Sequence, residues 1–164
     1  MEDLFLFAGA YDSLDEAQAD FAALGELHNL KFFGRYQAAI FTKDDEGKVK
    51  VLDTTSTTRT TGAKWGAAIG GVLGVVFPPS ILVSAAAGAG IGAVAGNLAK
   101  GWMSWDVKDI AEMAENGTSG VIVIAEATPE RGAEELLKHA KKYAKRQIDV
   151  QAKEAKEALD QIEL

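Results

Sequence analysis

The sequence predicts an α+β fold: a ferredoxin-like antiparallel sheet interrupted by a glycine-zipper helical hairpin and followed by a long C-terminal helix. Three observations predict it. With one insertion set aside, the segments run strand, helix, strand, strand, helix, strand. The insertion, residues 62–98, reads GAKWGAAIGGVLGVVFPPSILVSAAAGAGIGAVAGNL and is built almost wholly of small and apolar residues. An apolar stripe at helical spacing then runs from Leu137 almost to the C-terminus. The divisions are residues 1–61 with 104–128 for the sheet domain, 62–103 for the hairpin and 129–164 for the amphipathic helix.

Leu4 to Tyr11 (LFLFAGAY) is apolar at nearly every position, the pattern of a strand covered on both faces. Asp12 and Ser13 then stand where a short side-chain oxygen can accept the unpaired amides of a helix's first turn. Leu14, Ala17, Phe21, Leu24 and Leu27 recur at steps of three or four, one buried stripe. Arg35 to Lys43 and Lys48 to Asp53 are strand-like and flank DDEG, a composition suited to a hairpin turn.

Beyond the insertion, Val107, Ile110, Ala111 and Ala114 share one face of a helix from about Asp106 to Asn116, with Asn116 and Gly117 as its stop. Gly120 to Ala127 (GVIVIAEA) is the last strand, at an edge in this topology, where its apolar faces invite pairing with another chain unless the C-terminal helix folds over it. Thr128 and Pro129 open that helix. Its half beyond Ile148 is too polar to bury deeply, so it projects and packs against another helix or frays.

Gly62, Gly66, Gly70 and Gly74 repeat at intervals of four, and beyond Pro78-Pro79 so do Ser84, Gly88, Gly92 and Gly96. Each glycine costs a helix about 1 kcal/mol relative to alanine, so the two rows need a compensating gain. Close backbone approach supplies it: helices without side chains on one face pack at van der Waals distance. Ile69, Leu73, Val76, Ile91, Val94 and Leu98 lie on the opposite faces and must also leave water.

The arms would be roughly 24 Å and 34 Å long at 1.5 Å per residue, against a bilayer core of about 30 Å. Arg59, Lys64 and Trp65 stand at one base of the hairpin, Lys100, Trp102 and Trp105 at the other, an interface-type girdle at one end only. The tip, VVFPPSILVS, has no charge. A re-entrant wedge or short tilted crossing suits these features. The alternative is a soluble assembly in which several hairpins share one core.

The chain has 164 residues and a net charge of −7; between Asp53 and Asp106 there is no acidic residue but Arg59, Lys64 and Lys100, so the rest stands at −10. An acidic body lacks the basic footprint that nucleic acid needs, and no nucleic-acid partner is expected. Cysteine is absent, which fits a reducing compartment and removes thiolate chemistry. MEDLFLFAGAY lacks the basic region of a secretory signal, so the expected location is the cytoplasmic face of the inner membrane, or the cytoplasm for a soluble assembly.

His28 and His139 stand alone in sequence, without a second ligand at metal spacing, and read as surface histidines. GAGIG departs from GxGxxG at Ala93. Asp44, Asp45 and Glu46 suit a turn as well as a weakly held cation. No nucleophile–base pair, cofactor motif or small-molecule substrate site is legible, so the expectation is a non-enzyme without metal or cofactor.

The zipper followed by WDVKDIAEMAENGTSGVIVIAEATPE resembles the bacterial family described as domain of unknown function 1269. The chain is also similar to general-stress proteins that join a ferredoxin-like half to glycine zippers. The likeness runs from about Leu4 to Leu137, and its most specific portion is the zipper with the helix-NGTSG-strand unit. It implies a predicted membrane protein without an established reaction. The resulting expectation is a self-associating homo-oligomer with membrane lipid as partner, serving envelope stress, scaffolding or pore formation.

Overall fold

The computed structural model describes residues 3–56, 112–115 and 117–147. Among them are five strands and two helices. In chain order they are β1 (Asp3–Tyr11), α1 (Leu14–Asn29), β2 (Tyr36–Lys43), β3 (Val49–Ser56), β4 (Ser119–Ala127), α2 (Ala133–Leu136) and β5 (Lys142–Gln147). The strands form one antiparallel sheet in the order β3-β2-β4-β1-β5.

β1 and β4 are apolar on both faces because each lies inside the sheet and both faces are buried. Phe5, Phe7, Tyr11, Tyr36, Ala38, Ile40, Val121 and Val123 pack on one side with Ala17 and Leu24 of α1 and Ala133 and Leu136 of α2. Leu6, Ala8, Ala39, Phe41, Ile122 and Ile124 are buried on the other. Ser13 caps α1 by accepting the Glu16 amide at 3.3 Å, and Asp15 and Glu16 stand in the first turn, where the helix dipole favours negative charge. At the β2–β3 turn Asp44 Oδ1 accepts the amides of Glu46 and Lys48, each at 2.9 Å, so this side chain holds the hairpin.

The chain crosses from β1 to β2 through α1 and from β4 to β5 through α2. Each crossing joins strands of the same direction, because β1 and β2 both oppose β4, and β4 and β5 both oppose β1. Such strands cannot be joined by a tight turn and need a crossover.

The expected fold class is corrected in three respects. A five-stranded antiparallel sheet with two short helices takes the place of a ferredoxin-like α+β domain with a long C-terminal helix. The apolar strand at residues 120–127 is not an edge: β4 lies between β1 and β2 and is paired along both sides, while β3 and β5 bound the described sheet. The stretch 129–147 holds only four helical residues and then a strand, so Leu137, Ala140 and Ala144 do not form a helical stripe.

Tertiary pairing overrides the helical pattern there. β1 has an edge left open by β4, and residues 142–147 fill it in continuous register from Ala10↔Lys142 to Phe5↔Gln147. Leu136 and Leu137 are both buried in the core, which ends the helix and turns the chain back to the sheet. Gly9 makes room for this turn: a Cβ there would lie 2.9 Å from Leu137 Cδ1 and 3.1 Å from Ala140 Cβ. Of the helix expected over 106–116, only residues 112–115 are described. The hairpin at 62–103 and the tail beyond 147 lie outside the described residues.

Gly120 lies directly opposite Phe41, whose ring covers it; a Cβ at Gly120 would fall 2.2 Å from Phe41 Cζ. Gly120→Ala is therefore expected to destabilise the fold by about 1–3 kcal/mol through overpacking, with part of the loss recovered when Phe41→Leu is added. Urea unfolding midpoints measure both effects, and an unchanged midpoint for Gly120→Ala would contradict the ring's placement.

Candidate functional site

α1 carries one carboxylate on its buried side. Asp20 shares that side with Ala17 and Leu24, and its side chain is 4% exposed. A buried carboxylate is costly unless donors surround it, and three converge here. Tyr11 Oη, at the end of β1, donates to Asp20 Oδ2 at 2.8 Å. The His139 backbone amide, in the turn between α2 and β5, donates to the same oxygen at 2.8 Å. His139 Nδ1 meets Asp20 Oδ1 at 2.5 Å. Since a carboxylate oxygen only accepts, Nδ1 carries the hydrogen and the neutral ring keeps its lone pair on Nε2. The His139 side chain remains 55% exposed.

Burial, and then the bond to Asp20, pushes the Tyr11 phenol well above the ordinary tyrosine range, so it stays a donor. Tyr36 is raised as well, again chiefly by burial. Beside this cluster an open depression is lined by Tyr11, Asp12, Glu115, Thr118, Lys141 and Lys142. Two ion pairs stand at it, Lys141–Asp12 at 3.3 Å and Lys142–Glu115 at 3.2 Å. Their side chains are largely exposed, so they contribute little to stability.

The other polar groups are bound into the frame. His28 Nδ1 donates to the Gly34 carbonyl at 2.8 Å, and its ring lies against Phe33 and Tyr36. Arg35 pairs with Glu126 at 2.6 Å across 91 residues. Lys145 on β5 lies 4.1 Å from the Phe5 ring centroid and donates to the carbonyls of Thr128, Pro129 and Arg131. That lysine ties the edge strand to the loop after β4. Among the described residues no group of three His, Asp or Glu side chains is placed to hold a metal ion.

The glycine-zipper positions Gly62, Gly66, Gly70, Gly74, Ser84, Gly88, Gly92 and Gly96 and the girdle Lys64, Trp65, Lys100, Trp102 and Trp105 all lie outside the described residues. His139 differs from its sequence reading: it lies in a turn rather than on a long helix, and it is bonded to a carboxylate 119 positions away. Asp20 was missed although its position carried a signal, an acid at i+3 from Ala17 and i−4 from Leu24 on an otherwise apolar stripe. Asp44 is used by its own turn.

The site therefore belongs to a small sheet domain in which one buried carboxylate joins a helix, a strand and a turn. The family model described as Protein of unknown function (DUF1269) matches residues 63–161, and the chain belongs to that family. No curated protein and no solved structure matches the chain. Among the described residues no helix is long and apolar enough to cross a membrane.

Removing the carboxylate leaves Tyr11 and His139 without their acceptor, so Asp20→Ala is expected to cost about 2–4 kcal/mol, read from the urea midpoint. A loss within experimental scatter would contradict the cluster. The sign of the pH effect follows from the raised phenol. Tyr11 contributes its full stability below about pH 10, where an unfolded chain's tyrosine ionises, and that contribution is lost as pH rises further. Tyr11→Phe is expected to show a shallower decline of thermal midpoint between neutral and strongly alkaline pH. A decline as steep as the wild type's would rule this out.

Proposed function

We propose that the protein is a non-enzymatic, self-associating protein that enters or lies on a membrane through residues 62–103, with its sheet domain on the cytoplasmic side, in envelope stress or pore formation. The observation that carries this reading is the double row of small residues, Gly62, Gly66, Gly70 and Gly74 followed by Ser84, Gly88, Gly92 and Gly96, in a run without acidic residues. Such rows permit close helix contact, and the apolar side chains outside them need lipid or sister chains as cover.

Two further observations support it. The family match takes in this run from residue 63 together with β4, α2 and β5. The frame also accommodates an insertion. β3 ends at Ser56, beside Gln37, and β4 starts at Ser119, beside Thr42. The connection therefore leaves the sheet at one end of β2 and rejoins it roughly 17 Å along that strand, at about 3.3 Å per residue.

Sedimentation of cell extracts, followed by high-salt and carbonate washes, tests the reading. The protein is expected to stay with the membrane pellet, and Gly70→Leu or Gly92→Leu is expected to reduce self-association there by holding helices apart. Complete release as a soluble species would overturn insertion. A discrete oligomer in that soluble fraction, without detergent, would point to the assembly with a shared hairpin core.

A further inference from the structure

Residues 136–147 contain Lys138, Lys141, Lys142, Lys145 and Arg146 and no acidic residue, in a chain whose net charge is −7. His139 lies in this basic run. Asp20 takes both its backbone amide, at 2.8 Å, and its Nδ1, at 2.5 Å, while the side chain stays 55% exposed. The imidazole cannot turn over without giving up the Asp20 bond. In the neutral ring Nε2 is therefore the nitrogen that carries the lone pair.

A nucleophilic attack by Nε2 places positive charge on the ring. Stabilising that charge requires a negative group already aimed at Nδ1–H and shielded from water, since solvent screening weakens the interaction. Asp20 meets both conditions, with its side chain 4% exposed and its other oxygen held by Tyr11. His28 supplies a contrast within the same chain. Its Nδ1 also donates, but to the neutral carbonyl of Gly34, at 2.8 Å. A carbonyl orients the ring in the same way without supplying the full charge.

We propose that His139 is a phosphoryl-acceptor site, with Nε2 as the accepting atom, Asp20 as its positioning residue and a small anionic phosphoryl donor as the source of the group. The Nε2 lone pair forms the bond to phosphorus as the bond from phosphorus to the leaving group breaks, and the leaving group departs with that electron pair. Nδ1 keeps its hydrogen, and the resulting imidazolium is paired with the Asp20 carboxylate. With phosphoramidate, whose nitrogen already carries its proton, ammonia leaves and no further reactant is needed. Lys138, next to the histidine, supplies positive charge for an anionic donor, whereas Lys141 and Lys142 are paired with Asp12 and Glu115 and Lys145 is held by loop carbonyls. None of these residues lies within 62–103, so the histidine chemistry is independent of any membrane contact.

The test treats the full-length chain with phosphoramidate and follows each histidine by intact mass and by phosphorus–nitrogen correlation in NMR, with His139→Gln to assign the signals. The expected result is a phosphoryl group on Nε2 of His139, formed about tenfold or more faster than any adduct at His28. In Asp20→Asn the His139 rate is expected to fall about tenfold or more, in keeping with the loss when a carboxylate behind a reacting histidine is neutralised, while the His28 rate holds. Equal rates at the two histidines, attachment at Nδ1, or an unchanged His139 rate in Asp20→Asn would overturn the proposal. Should Asp20→Asn disturb the fold, the His139 rate in the folded wild type is set against that of the urea-unfolded chain, and a folded-state rate no higher than the unfolded one would overturn the proposal.

Discussion

The arrangement depends on one anion that would be costly to bury alone. Asp20 sits on the inner side of α1, and the donors that make its burial tolerable come from β1 and from the turn after α2. Taking a carboxylate out of water costs several kcal/mol unless such bonds replace its hydration. Helix, strand and turn must therefore dock together. The consequence reaches β5, whose side chains are mostly polar and half exposed, so that apolar burial contributes little to holding it. What places β5 is its pairing with β1, the Lys145 bonds to the preceding loop and the anchoring of His139 just before it.

The same constraint separates what could be read from the sequence and what could not. β1, α1, the β2–β3 hairpin and β4 are written in local chemistry: apolar runs, a capping serine, an aspartate at the turn. β5 is not. KYAKRQ has no alternating apolar face, and Leu137, Ala140 and Ala144 mimic a helical stripe, so only the open edge of β1 makes a strand of it. Strand order was lost for a related reason. Nothing in GVIVIAEA tells which neighbours cover its two sides, and the strand expected at an edge is an inner one. Asp20 and His139 are 119 positions apart, so no spacing rule joins them. The acid within the α1 stripe was the one legible mark that a polar partner had to arrive from elsewhere.

Charge divides the chain in a way that both functional readings use. Acidic residues are absent from 54–105 and again from 136–147, while the rest is strongly acidic. In the first run the absence accompanies small and apolar residues, the composition of a segment that leaves water. In the second it accompanies lysines on an edge strand, where charge also discourages unwanted strand pairing. The first run starts in the last residues of β3 and continues toward β4, and the second closes the opposite side of the described sheet, next to β1. The proposed association and the proposed histidine chemistry thus draw on separate parts of one chain, joined through a sheet whose inner strands are apolar on both faces.

Residue-resolved amide hydrogen exchange, measured on the wild type and on Asp20→Asn, tests most directly whether the buried carboxylate fixes the edge strand. Alternating slow amides are expected across residues 142–147 in the wild type, as for a strand bonded along one side, with selective loss of that protection in Asp20→Asn while β2 and β4 keep theirs. Uniform protection of 142–147 with helical chemical shifts, or protection that survives in Asp20→Asn, would contradict it.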